Sequence, residues 1–81
     1  MAKIVLTRAL CRFTDGQAEF ELEVKTVQAL FRELSKRYPA MKPHLDEGVA
    51  VAIDGEIYQD ALFEAIPEDS EVHVIPQIAG G

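Results

Sequence analysis

The chain has 81 residues, with 14 Asp and Glu against 8 Lys and Arg and a formal net charge of −6; that bounds it to one small domain and argues against binding phosphate backbones. Its one cysteine, Cys11, excludes an internal disulfide and a cysteine-clustered zinc site. The longest clearly apolar run, VAVAI at 49–53, is far too short to span a bilayer, and MAKIVLTRAL lacks the apolar core of a signal peptide. The expectation is a soluble, cytoplasmic protein that binds no nucleic acid and no membrane, its acidity serving solubility or steering toward basic protein surfaces.

In chain order, a first strand is expected near 3–12, KIVLTRALCR, ahead of the turn signal Thr14-Asp15-Gly16. Its inward face is open, because Ile4 and Leu6 compete with Val5 and Ala9. The second strand is clearer: in AEFELEVK, Phe20, Leu22 and Val24 alternate with Glu19, Glu21 and Glu23, which gives one buried and one wet side. The period then changes. Val27, Leu30, Phe31, Leu34 and Tyr38 make one stripe of a helix, with Thr26 placed to cap it and Pro39 to end it. AMKPHLDEG reads as a loop with at most one helical turn. GVAVAID is a third strand with Val49, Val51 and Ile53 on one face, and Asp54-Gly55 is a turn returning EIY as a short strand. ALFEAI at 61–66 stays ambiguous between a short helical turn and a connection on the core. PEDS is a turn, and EVHVIP is the last strand, with Val72 and Val74 inward and His73 and Ile75 outward. Pro76 carries no amide hydrogen for a ladder, and QIAGG follows it.

A hairpin, a crossover helix and further strands in one mixed sheet make an α+β, β-grasp (ubiquitin-like) arrangement of four to five strands on one main helix. The domain is placed at residues 1–76 and a flexible Gly-Gly tail at 77–81. The globular part offers no convincing catalytic constellation. His44 and His73 are isolated in sequence and outside metal-ligand spacing, Cys11 reads as a small apolar residue, and the carboxylates of strand two read as a solvated face. The tail is different. At a mean glycine usage of about 7%, two terminal glycines arise by chance in roughly one chain in 200. Residues without side chains can thread a narrow channel and bring a carboxylate to catalytic groups. That carboxylate is ionised and inert at neutral pH, with a pKa of about 3.3–3.7; to react it must be activated, and adenylation by ATP on a partner enzyme would make it an acyl donor from which a sulfur nucleophile can displace AMP.

On the β-grasp order, VAIDG, EDSEVHVIP and the ending IPQIAGG, the chain resembles the MoaD/ThiS family of ubiquitin-like sulfur carriers over essentially its whole length. The resemblance implies that an E1-like enzyme adenylates Gly81 and that a persulfide sulfur replaces AMP. The Gly81 thiocarboxylate would then donate sulfur toward molybdopterin, the thiamine thiazole or another sulfur metabolite. It further implies that Gly80 and Gly81 form the reactive tip, and that Pro76, Gln77, Ile78 and Ala79 enter the partner's channel. Alternation along the last strand, not the resemblance, puts His73 and Ile75 outward beside the tail, where Ile75 either anchors a partner or is covered by the chain's own loops. The resemblance also implies that no cofactor is held stably, that ATP is consumed by the partner enzyme, and that the protein is a co-substrate rather than an enzyme, or the small subunit of a molybdopterin-synthase-like complex. Its partners are the adenylating enzyme and a sulfur-accepting enzyme or large subunit. Pro76-Gln77 stands where the molybdopterin branch often has two prolines, and Glu68-Asp69-Ser70-Glu71 departs from that branch's last turn, so the receiving pathway is left open. Two other readings compete: a β-grasp interaction module of phage-tail or toxin-assembly type, and a ubiquitin-like modifier that forms amide adducts on lysines.

Overall fold

The computed structural model describes residues 1–46, 49–59 and 62–76. Five strands form one sheet: β1 (Ala2–Leu6), β2 (Glu19–Leu22), β3 (Val49–Ile53), β4 (Glu56–Gln59) and β5 (Glu71–Pro76), in the order β2-β1-β5-β3-β4. The central pair β1 and β5 is parallel and every other pairing antiparallel. Such a parallel pair needs a long crossover, and α2 (Val27–Arg37) supplies it, packed on one face. This is the expected β-grasp fold.

The core follows from register. Ala2, Ile4 and Leu6 point toward α2, because Ile4 lies opposite Phe20 on β2 and Val72 on β5. Val72, Val74, Val49, Val51 and Ile53 complete the inner face, and Val27, Leu30 and Leu34 of α2 press onto it, all buried. The helix begins as the sequence indicates: Thr26 is extended and its Oγ1 accepts the Ala29 N–H at 3.1 Å. The two preceding orphan donors of the first turn are met by the chain at 62–66. Val27 N–H donates to the Glu64 carbonyl at 3.0 Å and Gln28 N–H to the Leu62 carbonyl at 2.8 Å. Ala65 bridges to Thr26, and Ile66, buried, donates to the Lys25 carbonyl. The ambiguous segment is therefore a connection that caps the main helix.

Two expectations need correction. The first strand stops at Leu6, and Arg8–Cys11 form a helical turn, α1, followed by a 3-10 turn at Arg12–Thr14. Continued alternation from Ala2, Ile4 and Leu6 would drive Arg8 inward. The helical turn leaves Arg8 exposed and still buries Leu10. After α2, the expected loop is mostly helical: a 3-10 turn at Pro39–Met41 and α3 (Lys42–Asp46). Burial of Met41 and Leu45 explains it, since one face of this stretch closes the core below α2. The Asp54-Gly55 turn is as read, with φ of +48° and +92°, the backbone of a two-residue type I′ hairpin.

Candidate functional site

The site is built on β5, the strand that leads into the tail. β5 is held on both sides over its first part, by β1 up to Leu6 opposite Val74 and by β3 throughout. Beyond Val74 only β3 remains, with Ala50 opposite Ile75 and Val49 opposite Pro76. Pro76, which has no N–H to give, thus falls where the strand has already lost one neighbour. Gln77, Ile78, Ala79, Gly80 and Gly81 lie outside the described residues.

The helices cover one face of the sheet and leave the other open. On that open face the pairings place Val5, His73, Ala52 and Ile57 in one row across β1, β5, β3 and β4, with Ile75 and Ala50 in the next. His73 and Ile75 therefore stand outward, as their alternation with buried Val72 and Val74 indicated, and both are half-buried. They line a shallow recess with Ala52, Asp54, Gly55 and Glu71. Sequence reading did not pick out Val5, Ala52 or Ile57 for this face. Their only signal was alternation within KIVL, VAVAI and EIY, and nothing local says that three separate strands align them.

The electrostatics of the face are acidic. His73 Nε2 sits 2.6 Å from Glu71 Oε1, two residues back on the same side of β5. Lys3 pairs with Glu19 at 3.3 Å. Asp54 Oδ1 accepts the Glu71 N–H at 2.9 Å and ties the β3–β4 turn to the start of β5. On the helix side, the Tyr58 hydroxyl donates to Glu56 Oε2 at 2.6 Å. That hydrogen bond first, then burial and the charges of Glu56 and Glu64, push the phenol up to about 12. His44 stacks against Phe13, ring centroids 4.9 Å apart, and Cys11 points its thiol at the Leu6 carbonyl at 3.6 Å; neither faces the recess. Among the described residues there is no cluster of His, Cys, Asp and Glu suited to a metal ion, and no helix long and apolar enough to cross a membrane. The face presents a mixed sheet with an apolar stripe and an acidic rim, and β5 ends at Pro76 beside it.

The ThiS family model matches residues 4–81, all but three residues of the chain. The chain belongs to the ThiS family. That ThiS-family membership agrees with the family resemblance drawn from the sequence, and supports a ubiquitin-like sulfur carrier or modifier. No curated protein sequence matches it closely enough to stand as a relative. Solved structures do match in shape. CysO of Mycobacterium tuberculosis, described as an antigen, superposes with a TM-score of 0.81 at 18% identity, over 96% of this chain and 100% of its own. The structure of the Amycolatopsis orientalis BexX/CysO complex gives 0.79 at 18%, over 100% of both chains. Small archaeal modifier protein 1 from Methanosarcina acetivorans gives 0.80 at 22%, over 99% of this chain and 95% of its own. At these identities the likeness establishes the shared fold, the β-grasp form that the described residues of this ThiS-family chain adopt.

Proposed function

We propose that this protein carries sulfur on its C-terminus: Gly81 is adenylated by an E1-like enzyme, converted to a thiocarboxylate, and presented to a biosynthetic acceptor. The observation that carries the reading is the placement of β5. The strand is pinned between β1 and β3 and runs directly into the stretch QIAGG, which the family match includes. Adenylation joins the carboxylate to the α-phosphate of ATP and expels pyrophosphate. A sulfur nucleophile then attacks the acyl carbon, and AMP leaves. Where that nucleophile is a persulfide, the acyl disulfide it forms needs a thiol to release the thiocarboxylate.

The partner enzyme supplies this chemistry; the chain supplies the handle. In this reading Pro76 ends β5 at the mouth of the partner's channel, Gln77, Ile78 and Ala79 enter it, and Gly80 and Gly81 bring the carboxylate to the enzyme's catalytic groups. His73 and Ile75 meet the enzyme's surface on the open sheet face, joined by Val5 and Ala52. The acidic rim of Glu71 and Asp54 suits a partner with basic residues around an apolar patch. The BexX/CysO complex is consistent with a β-grasp protein of this shape docking on a second protein.

Incubation with ATP, a cognate E1-like enzyme and a sulfur source is expected to raise the mass of the intact chain by one oxygen-for-sulfur exchange at Gly81. Removal of Gly80 and Gly81 is expected to abolish the exchange while leaving the melting temperature unchanged. No mass change with the cognate enzyme, or full sulfur transfer by the truncated chain, overturns the proposal. A second reading shares the first step. Two of the structures of this shape are named small archaeal modifier protein 1, and attack on the adenylate by a lysine amine instead of sulfur would give a stable amide adduct. Alkali-stable conjugates on other proteins would identify that outcome.

A further inference from the structure

Among the described residues four large hydrophobic side chains stand exposed, and three of them, Ile57, Leu62 and Phe63, belong to β4 and the chain just after it. The surrounding segment, DGEIYQDALFE at 54–64, holds Asp54, Glu56, Asp60 and Glu64 and no lysine or arginine. β4 is an edge strand, paired with β3 alone. Its two-residue turn fixes which backbone groups face outward. Ile53–Glu56 and Val51–Tyr58 are the pairs that exchange ladder bonds, so the N–H and C=O of Ile57 and Gln59 point away from β3. Edge strands are ordinarily guarded by lysine, proline or a bulge. β4 has none of these, and its outward residue on the open face, Ile57, is 65% exposed. The opposite edge, β2, shows Glu19 and Glu21 on that face.

We propose that the free edge of β4 takes up an extended segment of a partner protein as a sixth strand, and that this segment alternates apolar and basic residues. The backbone of Ile57 and Gln59 offers two donors and two acceptors for the ladder. Side chains on the two faces then set specificity. On the open face, the incoming residue beside Ile57 is apolar and lengthens the row Val5, His73, Ala52, Ile57. On the helix side, the incoming residues meet Glu56, whose carboxylate holds the Tyr58 hydroxyl, with Glu64 close by, and there lysine or arginine is favoured. A second copy of this chain does not fit the edge. Pairing β4 with β4 sets two wholly acidic segments against each other, on chains of net charge −6 each. The docking requires no acyl transfer and stands apart from the fate of Gly81.

The test is titration of the isotope-labelled full chain with the peptide Lys-Val-Lys-Val-Lys-Val, blocked at both ends, followed by amide spectra at low salt. Expected are shifts centred on β4, slowed exchange of the Ile57 and Gln59 amides, and weakening as salt is raised. The peptide with Glu in place of Lys should bind at least about tenfold more weakly. Ile57→Pro deletes only an outward N–H, a position where edge strands tolerate proline, and should abolish binding with the β3 amides still protected. Ile57→Lys, which leaves the backbone intact but replaces the apolar contact by a charge of the peptide's own sign, should weaken binding by about tenfold or more. Shifts confined to other strands, equal binding of the acidic peptide, or unimpaired binding by both variants would overturn the proposal. Concentration-dependent β4 shifts without peptide would overturn it too, since the occupant would then be a second copy.

Discussion

Single side chains in this fold carry identifiable tasks. Thr26 closes the first turn of α2 through its hydroxyl, while the carbonyls of Glu64 and Leu62 close the rest. Thr26→Ala is expected to cost about 1 kcal/mol, read as a shift in the urea midpoint with an unchanged slope. Gly55 sits at φ +92° with open space where a Cβ would go. The cost of Gly55→Ala is therefore backbone strain alone. Tyr58 gives a pH signature. Its phenol is raised in the folded state to about 12, chiefly by donating to Glu56, so the folded chain keeps this proton where the unfolded chain, near 10, has lost it. The contribution is complete below about pH 10 and is lost as pH rises from there through about 12. Phenolate absorbance should show one tyrosine titrating late, and Glu56→Gln should bring its midpoint back toward 10.

At the level of elements, the sequence was most legible where one periodicity ran for several residues without competition. The alternation of Phe20 and Leu22 with glutamates, the stripe from Val27 to Leu34, and the turn at Asp54-Gly55 all appear where the residues placed them. The stretch after Leu6 failed for a specific reason. RALC is neutral between strand and helix, and the choice is made by tertiary contact, because only a helical turn buries Leu10 and frees Arg8. The helix at Lys42–Asp46 was hidden in the same way, since a few apolar residues such as Met41 and Leu45 in a polar run do not declare a period. The open face was legible in part: outward His73 and Ile75 follow from β5 alone, but their row with Val5 and Ala52 needs the cross-strand register. Leu10→Ala is expected to cost about 2–5 kcal/mol, a large fraction of the stability of so small a domain. A change nearly silent in chemical denaturation would mean that Leu10 does not occupy the core position this turn gives it.

Over the whole molecule, the charge is not spread evenly, and this bears on how partners approach. Glu19, Glu21 and Glu71 look out from the open face with Lys3 among them, while Arg32, Lys36 and Arg37 ride on α2 behind the sheet. Charge separated in this way orients the approach to a basic surface and brings the open face, with the root of the tail, toward it first. In the proposed docking on an adenylating enzyme, apolar contact through Ile75 acts later, once water has been excluded, and governs departure. The two contributions separate kinetically. Charge reversal by Glu21→Lys together with Glu71→Lys should slow association with the adenylating enzyme several-fold to about tenfold at low salt. The difference should shrink as salt shortens the screening length, and dissociation should be almost untouched. Ile75→Asp should instead speed dissociation and lower the yield of adenylate at equal enzyme concentration. Stopped-flow binding over a salt series reads both rates. An association rate indifferent to the two reversals would mean that the acidic face serves solubility and not encounter.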